Sequence, residues 1–278
     1  MRKPFFILIV SLITISHSAL AQQRSAKRGI GWDEKTQPLS ETTIATMAPG
    51  VSWVYNWAVA PASTLTSLGP GGSIEFVPMC WNAAYNETVL RNYLTTLPGV
   101  KLLLGFNEPN FSSQSNMTPQ QAASTWPRLE QLARDFGLLL AAPALNFTGE
   151  YVGGRVWSPY EWLDEFFRLY PAAKVDYLAL HCYMNWCSST IWFATEYFYK
   201  DLYDTKKTDV YGRYPHLVSY LDSYRQANGH FPRMYLTEFC AWEGNKDGFT
   251  LNADSQIDQM TQKVQQLELS ELVAGYAW

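Results

Sequence analysis

The stretch Lys101–Ser112, KLLLGFNEPNFS, sets three leucines and a Gly-Phe pair before Asn107, Glu108 and Pro109. Its apolar half reads as a short strand buried on both faces. A buried strand that ends on a carboxylate is the arrangement of a barrel whose chemistry sits at the carboxyl ends of its strands. Seven other runs of the same kind surround it: RGIGW (28–32), VSWVYNWA (51–58), IEFVPMCW (74–81), LLLAAPAL (138–145), VDYLALHCYM (175–184), RMYLTEFCAW (233–242) and LVAGYAW (272–278).

Helical segments lie between several of these runs. TPQQAASTWPRLEQLARDFG opens with Thr118 as N-cap and Pro119 in the first turn, and closes on Gly137. SPYEWLDEFFRLYP repeats that opening with Ser158 and Pro159, and LNADSQIDQMTQKVQQLELS is amphipathic ahead of the last run. Strands buried on both faces and separated by helices are parallel. Eight such units in about 250 residues predict an α/β fold, the (β/α)8 TIM barrel. A doubly wound open sheet is the alternative, but GIGWDEKT after the first run is not a glycine-rich phosphate loop. The eighth run stops at Trp278, so the barrel is expected to be truncated at or after its eighth strand.

Residues 1–21 stand apart from the barrel, which is expected over 28–278. Arg2 and Lys3 precede the apolar FFILIVSLITI, and Ala19-Leu20-Ala21 fits a small-x-small cleavage site. This is the pattern of a secretory signal peptide, so a secreted protein, periplasmic or extracellular, is expected, with no membrane association after cleavage. Loss of Arg2 and Lys3 would take the net charge from −4 to −6. A mildly acidic chain without a basic cluster argues against a nucleic-acid partner. Four cysteines permit two disulfides in an exported chain, Cys182–Cys187 being close enough to staple a loop, while Cys80 and Cys240 read as buried thiols. The Cys-x4-Cys spacing is a poor match to zinc sites, and neither a metal nor a cofactor is expected. Asn86, Asn116 and Asn146 each begin an Asn-x-Thr sequon.

Glu108 closes the fourth run and Glu238 the core of the seventh, three strands apart in a ring of eight, so the two can face each other across the mouth. Two opposed carboxyls are the equipment of glycoside hydrolysis, one protonating the leaving oxygen and the other attacking the anomeric carbon or activating water. Asn107 beside Glu108 is placed to bind a sugar 2-hydroxyl. Eleven Trp and 17 Tyr exceed what a core needs, and flat aromatic faces suit sugar rings. Five Trp fall at strand carboxyl ends, Trp32, Trp57, Trp81, Trp242 and Trp278, and are expected to stack on sugar, with Asn56 and Asn82 beside two of them. Trp53, Trp126 and Trp162 fit the core. Asp33 and Glu34 read as solvated loop charges.

Together, GIGWD, YNW, FVPMCW, LLGFNEPN, APAL, DYLALHCYMN, YLTEFCAWEG and GYAW resemble glycoside hydrolase family 128, within the clan of retaining (β/α)8 glycosidases. The resemblance implies an endo-β-1,3-glucanase acting on laminarin or curdlan by double displacement, with Glu108 as acid/base, Glu238 as nucleophile, and Asn107, His181 and Tyr183 lining the cleft; a monomer is expected. Another β-glycan (cellulose, mannan or xylan) and a non-catalytic glycan-binding barrel are the alternatives. The segment NWCSSTIWFATEYFYKDLYDTKKTDVYGRYP is expected to wall one side of the cleft or to pack on the barrel.

Overall fold

A computed structural model describes residues 24–63, 65, 67–183, 196–203, 213–240 and 252–278. The parallel strands β1 (Arg28–Gly31), β2 (Trp53–Tyr55), β3 (Glu75–Phe76), β4 (Leu102–Leu103) and β5 (Leu139–Leu140) come first. β6 (Leu145–Asn146), the hairpin β7 (Tyr151–Val152) and β8 (Arg155–Val156), then β9 (Leu178–Cys182), β10 (Met234–Phe239) and β11 (Val273–Ala277) follow. One sheet runs β3-β2-β1-β11-β10-β9-β6, and β4 pairs with β5. Parallel bridges join Met79 to Leu104 and Ala141 to Tyr177, so pairing passes from the third run to the fourth and from the fifth to the sixth. With those links the pairing runs round all eight predicted strands in sequence order, as a (β/α)8 barrel requires.

The helices are α1 (Glu41–Met47), α2 (Glu87–Thr96), α3 (Pro119–Phe136), α4 (Pro159–Leu169), α5 (Glu196–Leu202), α6 (Pro215–Asn228) and α7 (Ala253–Leu269). Their ends follow local chemistry. Thr118 Oγ1 accepts from Gln121 N while Gln121 Oε1 accepts from Thr118 N, and Gly137 closes α3 at φ 66°. Ser158 and Glu161 make the same reciprocal box on α4. Trp126, Leu129, Leu132 and Ala133 form the buried stripe of α3, and Trp162, Leu163, Phe166 and Phe167 that of α4. No helix among the described residues is long and apolar enough to cross a membrane. In the segment after the sixth run, α5 buries Phe198 and Tyr199 and stacks Phe198 on Tyr160 at 4.9 Å, so these aromatics pack on the barrel. Cys187 and the rest of residues 185–195 and 204–212 of that segment, with residues 1–23, lie outside the described residues.

Strand alternation splits the core into two layers. Val54, Phe76, Leu103 and Leu140 point out toward the helices, whereas Trp53, Tyr55, Val77, Met79, Leu102 and Leu104 fill the barrel. The large rings Trp53, Tyr55, Tyr177 and Tyr235 share that interior with Ala141, Ala144, Ala179 and Ala277. Two glycines complete the fit. A Cβ on Gly29 would stand 2.2 Å from Trp53, and one on Gly275 2.3 Å from Tyr235. Gly275→Ala is therefore expected to destabilise the barrel by about 1–3 kcal/mol through overpacking. Tyr235→Leu in the same chain should restore most of the lost melting temperature. Unchanged thermal melting of Gly275→Ala would refute the tight interior.

Candidate active site

At the end of the fourth run the chain leaves the strand line abruptly. Glu108 takes φ 41°, a left-handed conformation that costs a non-glycine residue about 1–3 kcal/mol and persists only when surrounding contacts fix it. Asn107 N donates to Trp81 O at 3.0 Å, Glu108 N to Ala144 O at 2.8 Å, and Phe111 N back to Glu108 O at 3.0 Å. The turn aims the Glu108 carboxylate inward, where it is 5% exposed. Its Oε1 accepts from Asn146 Nδ2 at 2.8 Å and from His181 Nδ1 at 2.9 Å. Burial opposes its ionisation, but the His181 ring and the Asn146 amide outweigh burial and hold the carboxyl below the usual Glu range.

Glu238 reaches the same point from β10 by a different device. The β9–β10 register runs Leu236 with Leu180 and then Glu238 with His181, so Thr237 is the extra residue of a bulge. The bulge lets consecutive residues act on one imidazole. Thr237 Oγ1 lies 2.9 Å from His181 Nε2, and Glu238 Oε2 lies 3.5 Å from His181 Nδ1. Tyr55 braces the bulge by donating its hydroxyl to Thr237 O at 2.9 Å. Trp57 Nε1 donates to Glu238 Oε1 at 2.6 Å, and the Tyr183 hydroxyl donates to Glu238 Oε2. Burial, then the Glu238 charge, pushes the Tyr183 phenol far above its ordinary pKa, so it remains a donor. His181 is fully buried. Burial works against its charge, yet the Glu238 and Glu108 carboxylates prevail and raise its pKa above that of a free imidazole. One oxygen of Glu108, one of Glu238 and a ring nitrogen of His181 all lie within 4.8 Å of one another.

Two hollows meet at this centre, both walled in part by Tyr183 and Glu238. One, about 370 Å³, holds Glu108, Phe111, Gln114, Asn146, Phe147, Thr148 and Glu150. The other, about 390 Å³, holds Gly31, Tyr55, Trp57, Thr237, Gln256 and Trp278. The first is rich in polar groups and the second is lined by aromatic faces.

The expected residues divide accordingly. Glu108, Glu238, His181, Tyr183, Trp57 and Trp278 come together. Asn107 is buried behind Glu108, with Nδ2 3.3 Å from Gln114 Oε1 and Oδ1 lacking a hydrogen-bond partner among the described residues. Trp32 and Trp81 do not line either hollow. Trp32 packs on the main core and donates its indole N–H to Gln37 O at 2.7 Å, while Trp81 packs against the barrel interior. Asn56 is corrected more firmly. Its amide is taken up by Glu34 Oε2 and its Oδ1 by Ala58 N, so it does not offer itself to sugar. Glu34, read as solvated, is 8% exposed. Trp242 lies outside the described residues. Asn146, Thr237 and Gln114 were missed. Asn146 stands one residue beyond the run LLLAAPAL, at a strand carboxyl end, and that position was its signal. Its role as donor to Glu108 also conflicts with use of its sequon.

Opposed carboxylates at the carboxyl mouth of a (β/α)8 barrel define a glycoside hydrolase. The sequence profile of the glycosyl hydrolase catalytic core matches residues 29–208. A crystallised subgroup II endo-β-1,3-glucanase of glycoside hydrolase family 128 from Pseudomonas viridiflava is 32% identical, with TM-score 0.65 over 92% of this chain and 86% of its own. A subgroup I endo-β-1,3-glucanase of the same family from Amycolatopsis mediterranei, solved with laminaritriose, is 27% identical, with TM-score 0.57 over 91% and 88%. The Alkali-sensitive linkage protein 1 of Schizosaccharomyces pombe is 27% identical over 162 residues, 57% of this chain but 26% of that longer protein. The chain belongs to glycoside hydrolase family 128.

The pKa directions fix the pH behaviour of the centre. Glu108's lowered pKa gives stability that is present above the ordinary carboxylate range and lost as pH falls through its own value. His181's raised pKa gives stability that is present below the ordinary imidazole value and lost as pH rises through the raised one. The melting-temperature advantage of the wild type over His181→Gln should therefore shrink from about pH 5 to about pH 9. A constant difference across that range would show that folding leaves the ring's pKa unshifted, and an advantage that grows with pH would show that the ring is held neutral.

Proposed function

We propose that this protein is a secreted, retaining endo-β-1,3-glucanase that hydrolyses laminarin- or curdlan-type glucan by double displacement. The observation that carries the reading is the approach of the Glu108 and Glu238 oxygens to within 4.8 Å. Retaining glycosidases hold their carboxyls about 5–5.5 Å apart, whereas inverting ones leave about 6.5–9.5 Å for a water. The β-1,3 linkage is supported by the family and by its Amycolatopsis relative, seen with laminaritriose and, as a Glu-to-Gln variant, with laminarihexaose. Hollows on both sides of Glu238 suit an internal segment of a chain, which is what endo action needs. Export rests on the leader pattern of residues 1–21.

In this mechanism Glu238 attacks the anomeric carbon, its charge kept in place by Trp57 and Tyr183. Glu108 protonates the departing glucan oxygen. Its low pKa in the free site means that the proton rests on His181 Nδ1, 2.9 Å away, and passes to Glu108 as the pair titrates together. The glycosyl ester on Glu238 is then cleaved by water, which Glu108 deprotonates. Asn107 Oδ1 is buried behind Glu108 and lines neither hollow, so the expected contact with a sugar 2-hydroxyl has no support in this geometry.

Reducing-sugar release from laminarin, curdlan, cellulose, mannan and xylan, measured with EDTA present, tests substrate and cofactor independence together. Release from the two β-1,3-glucans alone is expected, and turnover should fall by roughly 10²–10⁴-fold in Glu108→Gln and at least as far in Glu238→Gln. Release from another glycan would overturn the substrate, and wild-type turnover in Glu238→Gln would overturn the nucleophile. Proton NMR of the first product tests the stereochemistry. A β-anomer at the new reducing end supports retention, and an α-anomer means inversion.

A further inference from the structure

Glu34 is a buried carboxylate on a loop outside both hollows, and it grips one short segment of the chain through one backbone and two side-chain donors. Its Oε2 accepts from Ala62 N at 2.9 Å and from the amide of Asn56, and its Oε1 accepts from Ser63 Oγ at 3.2 Å. Among the described residues its partners are all neutral. A carboxylate taken out of water without a cation carries a desolvation cost that a solvated loop glutamate avoids, and three converging donors are what offset it. Asn56 passes the grip along by accepting from Ala58 N at 3.0 Å. The residue bracketed by Asn56 and Ala58 is Trp57.

Trp57 needs such a bracket. It sits at φ 59°, in the left-handed region where a tryptophan is strained. From below, its ring is held by Tyr55, with centroids 5.0 Å apart, and by Gly31, where a Cβ would come within 3.1 Å of the indole. Those contacts fix the plane of the ring. The backbone fold that lets the indole N–H reach Glu238 Oε1 at 2.6 Å is fixed from Glu34. An extended Trp57 would swing the ring away from the carboxylate.

We propose that Glu34 is a positioning residue for catalysis, clamping the loop 56–63 so that Trp57 holds the Glu238 carboxylate in its attacking orientation. The inference rests on the reading of Glu238 as nucleophile. Glu34→Gln keeps the shape but replaces one acceptor with a donor facing donors. It is expected to lower kcat on laminarin about tenfold to hundredfold with KM nearly unchanged, since sub-ångström placement of a reacting group has effects of that size. Because Glu34 acts through Trp57, Glu34→Gln/Trp57→Phe should turn over within about twofold of Trp57→Phe alone. In protein carrying 15N-labelled tryptophan, the indole N–H resonance absent from Trp57→Phe should shift upfield in Glu34→Gln as its hydrogen bond lengthens. If Glu34→Gln does not fold, Asn56→Ala cuts the same link and carries the same expectations. An unmoved indole resonance, or losses that multiply in the double variant, would overturn the proposal. A wild type inactive on every glycan would instead sink the catalytic reading, and the resonance would still report on the clamp.

Discussion

The centre of this molecule is a buried imidazole between two carboxylates. Two negative charges within 4.8 Å of each other repel by at least about 3 kcal/mol at the effective dielectric near 20 that suits protein sites. Such a pair does not remain jointly ionised in a half-buried cleft without a compensating charge. His181 supplies it, fully buried and in reach of both. Every other feature of the site serves this arrangement. The bulge at Thr237 brings Glu238 level with the ring, the Thr237 hydroxyl meets the ring's far nitrogen, and Asn146 takes a share of the Glu108 charge.

The barrel makes this possible by how it fills its own middle. Aromatic residues on the second, sixth and seventh runs need volume, and alanines and glycines paired beside them on the neighbouring strands leave it. Tyr55 belongs to both worlds. Its ring packs in the barrel interior and its hydroxyl ends at the Thr237 carbonyl, so interior packing sets the height of the bulge. A change in the barrel interior is thus transmitted to Glu238 through one hydrogen bond.

What could be read from the sequence, and what could not, follows from this geometry. Glu108 and Glu238 were legible because a carboxylate at the end of an apolar run is anomalous on its own. The helix ends at Thr118, Gly137 and Ser158 were legible because capping depends on neighbours in sequence. Strand-end aromatics were only half legible. The position places Trp32, Trp57, Trp81 and Trp278 near the mouth, but whether a ring faces sugar or core depends on its rotamer and on the next loop. Asn146 hid as a sequon, Thr237 hid because a bulge breaks the alternation that sequence patterns assume, and Glu34 hid because burial of a charge is decided by donors 22 to 29 residues further on.

The two strained residues beside the site carry the same lesson in energetic form. Glu108 at φ 41° and Trp57 at φ 59° each occupy a conformation that an isolated chain would leave. Each touches one of the two opposed carboxylates or is one. In both cases the restraint comes from ordinary structure next door: the Ala144 and Trp81 carbonyls for the first, the Glu34 and Asn56 hydrogen bonds for the second. Local preference and site geometry disagree at these two points, and the surrounding fold decides in favour of the site. The remaining positive-φ residue that is not glycine, Asn116, is a residue type that tolerates the left-handed region, so strain among the described residues is concentrated where the chemistry is.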